Sequence, residues 1–482
     1  MAQTPHAQNL IGQAIAAIQG NDFRQALELL NRTEQASGLP EHAQLLKAQC
    51  HHALGEYGAA ADGLLALLHR APENAFYHHS LALVYNDCSM PESAREHALR
   101  ATALAPAQAE VWVQLSLAEK ALGNAQQAFA AADKAVHLSN GNQESLKARA
   151  YAALLLHDDV TAGNDFNRRM RDAFAPALKG SFRSEFIHTT AAKLKHDAEQ
   201  YAYLHGLGRG QAFQNLAEMH YKMLSELPAD LATDQIITLS QSTVRAFEGS
   251  YNRLHHFVDA PRVTGSAIRT ERDFRAIEAD YRNRQPGITW IDDFLKPGTL
   301  KAIRDYCLEN TFWFDFHHPN GYLGALMENG FAAPLLFQIA QELRENLPAI
   351  FKDLPLIQMW AFKYDSQLKG IQMHADIAAV NLNFWITPDE SNLDDESGGL
   401  VIWDKEAPQD WHFKDFNTGE SDRQQRITEF LESSGANRVR VPYRQNRAVL
   451  FNSDLFHSTD HFHFKDGYTD RRINITLLFG QR

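Results

Sequence analysis

The sequence predicts an α+β multidomain chain, with an all-α N-terminal superhelix of stacked hairpins and a C-terminal jelly roll with flanking helices. Three observations lead there. Ala60, Ala94 and Ala128 recur every 34 residues, and Pro72 and Pro106 keep the same spacing. From Ile288 onward, short β-branched or aromatic runs are separated by Gly, Pro, Asn and Asp. With 482 residues, 44% of them hydrophobic and 22% charged, the chain can bury cores in two or three domains. That balance excludes a disordered, collagenous or coiled-coil protein.

The helical repeat comes first. Small residues in the second helix of each hairpin allow close approach, Gly55 and Gly123 (two periods apart) support the turns, and each Pro stops a helix. This pattern resembles the tetratricopeptide repeat (TPR). Trp112 and Leu115 fall where that consensus has Trp and Leu, whereas Ser116 stands at its usual Gly and Asn140 at its usual Pro. The resemblance implies a TPR superhelix over 1–142, with hairpins at 41–74, 75–108 and 109–142 and a less regular one at 7–40. Three or more repeats bury a continuous core. Such an array binds peptides in its groove, dimerises, or packs on a neighbouring domain, and the sequence leaves these open. His42, Gln49, His52, His79, Asn86 and Lys120, on the predicted concave face, do not form the basic clamp expected for acidic C-terminal tails.

Residues 143–285 read as helices that cap the array and join it to the C-terminal region. LKARAYAALLL, AAKLKHDAEQYAYLHGLG and QAFQNLAEMHYKMLSEL carry i, i+3/i+4 apolar spacing. The arginine-rich stretch 261–286 is the expected domain boundary. Beyond it, ITWIDDFL, LIQMWAFKY, VNLNFWIT, GGLVIWD, RVRVPY, RAVLFNS and RINITLLFG read as strands. KPGTLKAIRDYCLEN and PLLFQIAQELRENLPAIF read as helices packed outside them.

Candidate chemistry lies within 286–482. His374 and Asp376 are two residues apart, so on a strand both side chains point to one face and can reach one metal ion. A second match, His157-Asp158-Asp159, lies in helical sequence and reads as surface polar residues. Downstream, AVLFNSDLFH brings His457 to the start of another strand, which favours it over His461 and His463. In RINITLLF, alternation places Arg472, Asn474 and Thr476 on one face, which favours Arg472 over Arg471. Two histidines and a carboxylate make a facial triad for Fe(II) with positions left open. A guanidinium suits the distal carboxylate of a bound keto acid.

The order His374, Asp376, His457, Arg472 resembles the Fe(II)/2-oxoglutarate-dependent dioxygenase superfamily, with its HxD…H…R pattern. Tyr364, ten residues before the first histidine, and Thr476, four after Arg472, match its prolyl-hydroxylase-like branch. GGLVIWD resembles the strand that lines its pocket. The resemblance implies a double-stranded β-helix over 286–482. It implies Fe(II) held by His374, Asp376 and His457, and 2-oxoglutarate met by Arg472 with Tyr364, Asn474 and Thr476 nearby. It also implies O2-dependent decarboxylation of the keto acid to succinate coupled to hydroxylation. Helical repeats joined to such a domain imply a protein or peptide substrate. A small-molecule substrate, with the repeats used for dimerisation, and a non-catalytic TPR adaptor are the other readings.

Some residues stay open between packing and chemistry: Tyr364, the strand amides Asn381 and Asn383, and Trp385 and Trp403. The acidic DESNLDDE reads as a solvated loop or a selector of basic substrates, and the polar 405–437 as a lid, a recognition insert or a disordered stretch. The net charge of −13 argues against nucleic acid and anionic membranes as partners. No run of about 18 apolar residues occurs, and MAQTPHAQNLIGQA lacks the pattern of an export signal. Cys50, Cys88 and Cys307, far apart and read as buried, suit a reducing cytoplasm, which is the predicted location.

Overall fold

Alanine at the contact between two helices lets their backbones close up, and the 34-residue spacing repeats that contact. The computed structural model describes residues 5–176, 184–247, 249–284, 286–366, 370–408, 411 and 422–481. Its N-terminal helices are α1 (Pro5–Gln19), α2 (Phe23–Ser37), α3 (Glu41–Ala53), α4 (Tyr57–Arg70), α5 (Ala75–Asp87), α6 (Pro91–Leu104), α7 (Ala109–Ala121), α8 (Ala125–Ser139) and α9 (Gln143–Leu155). They form TPR-like antiparallel hairpins, and α3, α5, α7 and α9 begin 34 residues apart. Ala60, Ala94 and Ala128 are each 0% exposed. The turn position recurs at Asn21, Gly55, Ser89, Gly123 and His157, all with φ between 56° and 76°. A second repeated detail is a ring N–H donated to the carbonyl of the closing proline. Trp112 bonds Pro106 at 2.9 Å, and His78, one period earlier, bonds Pro72 at 3.0 Å.

The chain divides into two compact units, 1–156 and 157–482. The boundary expected at 261–286 falls inside the second unit. The second unit begins with α10 (Asp159–Phe174), α11 (Ser184–Ile187), β1 (His188–Thr189), α12 (Ala191–Gly206), α13 (Gln211–Ser225), β2 (Ile237–Thr238), α14 (Gln241–Ala246) and α15 (Phe274–Asn283). This segment is tied to the rest of the unit by polar contacts. Gln200 donates to the Leu308 and Asn310 carbonyls at 3.1 and 2.9 Å. The Glu342 carboxylate accepts the Ala267 and Ile268 amides. Arg272 donates to the carbonyls of Asp292 and Asp293. The HxD-like match at 157–159 is partly buried rather than superficial. Asp158 caps α10, and Asp159, 9% exposed, lies 3.6 Å from Arg344. Cys50 and Cys307 are buried as expected, whereas Cys88 is half-buried at the end of α5.

The remaining elements are β3 (Ile288–Ile291), α16 (Pro297–Glu309), β4 (Leu323–Leu326), α17 (Pro334–Asn346), α18 (Pro348–Phe351), β5 (Leu356–Tyr364), β6 (Val380–Trp385), β7 (Leu400–Glu406), α19 (Arg423–Ser433), β8 (Arg438–Val441), β9 (Ala448–Asn452), β10 (Leu455–Thr459) and β11 (Arg472–Phe479). A six-stranded sheet has the order β3-β9-β6-β11-β5-β4, and a three-stranded sheet the order β10-β7-β8. All neighbouring strands run antiparallel. Apolar side chains from both sheets, including Trp385, Val449 and Phe451 with Leu400, Ile402 and Val441, fill one core between them. Strand alternation sets the large sheet's two faces. Arg472, Asn474 and Thr476 of β11 turn inward, while Ile473, Ile475 and Leu477 are buried on the other side. On that outer side Lys363 of β5 donates to the Cys307 carbonyl of α16 at 3.2 Å.

Within 405–437, α19 lays Ile427 and Leu431 on Trp403, Phe456 and Ala375 of the small sheet's outer face. Residues 409–410 and 412–421 of that stretch lie outside the described residues, as do 367–369 before the HxD segment. No helix among the described residues is long and apolar enough to cross a membrane.

Candidate metal centre

A backbone pairing brings the two candidate histidines together. His374 N donates to the His457 carbonyl at 3.1 Å, and His457 N donates back at 2.9 Å, so the His374 segment pairs with β10 as a short antiparallel bridge. Residues paired in this way project to the same side of a sheet. The imidazole centroids are 4.2 Å apart. Alternation then sends Asp376 to that side too, while Ala375 turns outward under α19. One ligand atom from each of His374, Asp376 and His457 lies within 4.8 Å of the others. Among the described residues, no other group of three His, Cys, Asp or Glu does so.

Both rings are fixed in the tautomer that metal binding needs. His374 Nδ1 donates to the Gln372 carbonyl at 2.8 Å, and His457 Nδ1 to the Leu455 carbonyl at 3.0 Å. A carbonyl only accepts, so each Nε2 keeps its lone pair. These Nε2 atoms lie 3.9 and 3.5 Å from the Asp376 carboxylate oxygens. Burial, and then the neighbouring His457, bring His374 down to about 4 against the upward pull of Asp376, so the ring is neutral at pH 7. Burial pushes the Asp376 carboxyl up. Its polar neighbours, including the N–H that Asn381 donates to Oδ2, outweigh that, and the group lies below its ordinary value. Two imidazoles beside a carboxylate are a donor set suited to a divalent transition metal.

Arg472 lies in the same cavity and is 1% exposed. Its Nε donates to the Gly398 carbonyl at 2.7 Å and its Nη2 to the Gly399 carbonyl at 3.3 Å. The glycine pair explains why both carbonyls can reach it. Gly398 has φ +84°, and a Cβ on Gly399 would lie 1.9 Å from the Val441 carbonyl oxygen. Arg472 Nη1 is buried with no hydrogen-bond partner. Burial lowers the guanidinium from its ordinary value, opposed by the Tyr364 and Tyr443 phenols. It remains a cation at neutral pH. The Tyr364 ring lies 5.0 Å from it, so this tyrosine faces the cavity. A buried cation that keeps one N–H unpartnered is costly unless an anion meets that N–H.

Alternative residues separate cleanly. Arg471 turns to the outer side and pairs with Glu199 at 2.8 Å and Asp365 at 3.3 Å. His461 is exposed and pairs with Asp394 and Asp460. Asn474 and Thr476 share the inner face with Arg472, but their side chains bond Asn383, each at 2.8 Å. In the acidic loop, Asp389 accepts the Gln445 amide and Asp394 accepts from Ser397 and Glu396, so both hold turns. Trp360, Phe362, Ile371 and Leu400 supply apolar walls. Sequence reading left Asn381 and Asn383 open. Their signal was the alternation of Asn381, Asn383 and Trp385 along one face of β6.

No family model matches the chain, and no curated protein matches it. Solved structures similar to it include "MamA 41-end from Desulfovibrio magneticus RS-1", at 18% identity over 35% of this chain and 96% of that one, with a TM-score of 0.33. Another is TTC0263, a thermophilic TPR protein of Thermus thermophilus, at 20% identity over 36% of this chain and 93% of that one, with a TM-score of 0.31. The TPR character of residues 5–155 rests on the chain's own 34-residue register.

Proposed function

We propose that the chain is an Fe(II)- and 2-oxoglutarate-dependent dioxygenase that hydroxylates a protein or peptide side chain with help from its TPR array. The observation that carries this reading is the cavity that holds both features: three convergent metal-ligand atoms and a buried guanidinium with a free Nη1. The antiparallel two-sheet arrangement around that cavity supports the double-stranded β-helix that the sequence resemblance implies. When bound, Fe(II) with 2-oxoglutarate and O2 supplies oxidation of an unactivated C–H bond, with the keto acid leaving as succinate and CO2. His374 and His457 would hold the metal through Nε2 and Asp376 through its carboxylate. Arg472 Nη1 and the Tyr364 hydroxyl would meet the distal carboxylate of the keto acid, and the apolar walls would keep bulk water away.

A protein substrate is favoured because the repeats form a unit of their own, suited to engaging polypeptide. The test is succinate formation from 2-oxoglutarate by purified protein with Fe(II), together with a search for +16 Da products in extracts incubated with wild-type or His374→Ala protein. Turnover lost in His374→Ala and in Arg472→Ala supports the reading. A wild-type protein that neither retains iron nor consumes the keto acid leaves only the adaptor role. A +16 Da product confined to metabolites assigns a small-molecule substrate instead.

A further inference from the structure

Between Asp376 and the Arg472 end of the cavity runs a chain of buried amides on two paired strands. Asn381 Nδ2 donates to Asp376 Oδ2 at 2.7 Å, and Asn383 Nδ2 donates to Asn381 Oδ1. Asn474 Nδ2 and the Thr476 hydroxyl then both donate to Asn383 Oδ1 at 2.8 Å. The β6–β11 register sets Asn383 directly opposite Thr476. All four residues are at most 5% exposed. Three primary amides in a sheet core are costlier than apolar side chains unless their orientation serves something.

Their polarity runs one way. A metal-ligating carboxylate only accepts, so Asn381 must turn its NH2 toward Asp376 and its oxygen toward Asn383. Asn383 must then face its NH2 to Asn381 and its oxygen to Asn474 and Thr476. At the far end Asn474 Oδ1 is buried without a partner, in the same cavity as the unpartnered Arg472 Nη1.

We propose that Asn381 and Asn383 are positioning residues of the metal centre: their relay grips Asp376 by Oδ2 and sets the carboxylate against His374 and His457. This rests on the metal-centre reading above. The relay acts on metal affinity through the orientation of Asp376, an effect separable from its share in strand packing. Replacing partners of metal ligands weakens metal binding about 10–100-fold.

The test titrates Mn(II) into the full-length metal-free protein, reading free Mn(II) by electron paramagnetic resonance and folding by circular dichroism. Asn381→Leu, similar in volume but unable to hydrogen-bond, is expected to raise the Mn(II) Kd about 10–100-fold. Asn383→Ser, one amide further away, shifts it less in the same direction and carries the test if Asn381→Leu does not fold. Leu382→Ala, between them on the outer face and 0% exposed, reports packing damage alone and is expected to leave the Kd within about twofold. An unchanged Kd in both asparagine variants overturns the relay while the metal centre stands, as does an equal rise in Leu382→Ala. Wild-type protein that binds Mn(II) no better than His374→Ala overturns the metal centre itself.

Discussion

Ser89 holds a left-handed backbone, φ 59°, at a turn position where Gly55 and Gly123 stand one period either side. An L-residue there costs roughly 1–2 kcal/mol, partly offset by the lower chain entropy of a non-glycine residue when unfolded. Ser89→Gly should therefore stabilise the repeats by about 0.5 kcal/mol in urea denaturation, and Ser89→Val should destabilise them. Arg472 gives a second prediction. Lysine cannot reproduce the Nε and Nη2 bonds to the Gly398 and Gly399 carbonyls. Arg472→Lys should weaken 2-oxoglutarate binding to the Mn(II)-loaded protein at least about tenfold by calorimetry, the cost of about 1.4 kcal/mol or more expected when buried hydrogen bonds to a charged group are lost. Asp159 gives a third. Burial, opposed by Arg344, raises its carboxyl from the usual range to about 6. The folded form then binds a proton that the unfolded chain does not between about pH 6 and pH 4, so this group's contribution to stability rises as pH falls through that window. The urea midpoint of the wild type relative to that of Asp159→Asn should therefore be higher at pH 5 than at pH 7.5.

Among the elements, α19 has the clearest link to the site. Its Leu431 and Ile427 pack on Ala375, the residue between two candidate ligands. Leu431→Ala should cost about 2–4 kcal/mol by chemical denaturation and should also weaken Mn(II) binding, because Ala375 loses the surface that holds it. The strands β3, β5, β6, β7, β8, β9 and β11 were legible as apolar or β-branched runs, and α16 and α17 as amphipathic stretches. Strand β4 was not, because LGAL carries little β-propensity and owes its place to pairing with β5. Asn381 and Asn383 were ambiguous for a related reason. A buried amide in an apolar strand reads the same whether it bonds a ligand carboxylate or another core group, and only the β6–β11 register distinguishes the two. The metal-ligand order was readable because an i, i+2 pair on a strand is a local geometric fact, whereas the Gly398 and Gly399 carbonyls on Arg472 are not.

At the scale of the whole molecule, the repeat was legible from its period, but the membership of residues 157–285 was not. Their anchors are side chains reaching main-chain groups far along the sequence, such as Gln200 on Leu308 and Asn310, and these leave no periodic trace. A chain starting at residue 157 should unfold in one cooperative transition by calorimetry and retain Mn(II) binding, while losing turnover of a polypeptide substrate. Two separate transitions within that fragment would contradict the assignment of α10–α15 to the second unit. The reciprocal peptide bonds between His374 and His457 carry one more consequence. The backbones that carry the imidazoles cannot part without peeling that short edge away from β10, so an ion held by both rings would also hold those two main-chain amides closed. Deuterium uptake at those two positions should slow when Mn(II) is added, giving a clock for the centre that needs neither a substrate nor oxygen.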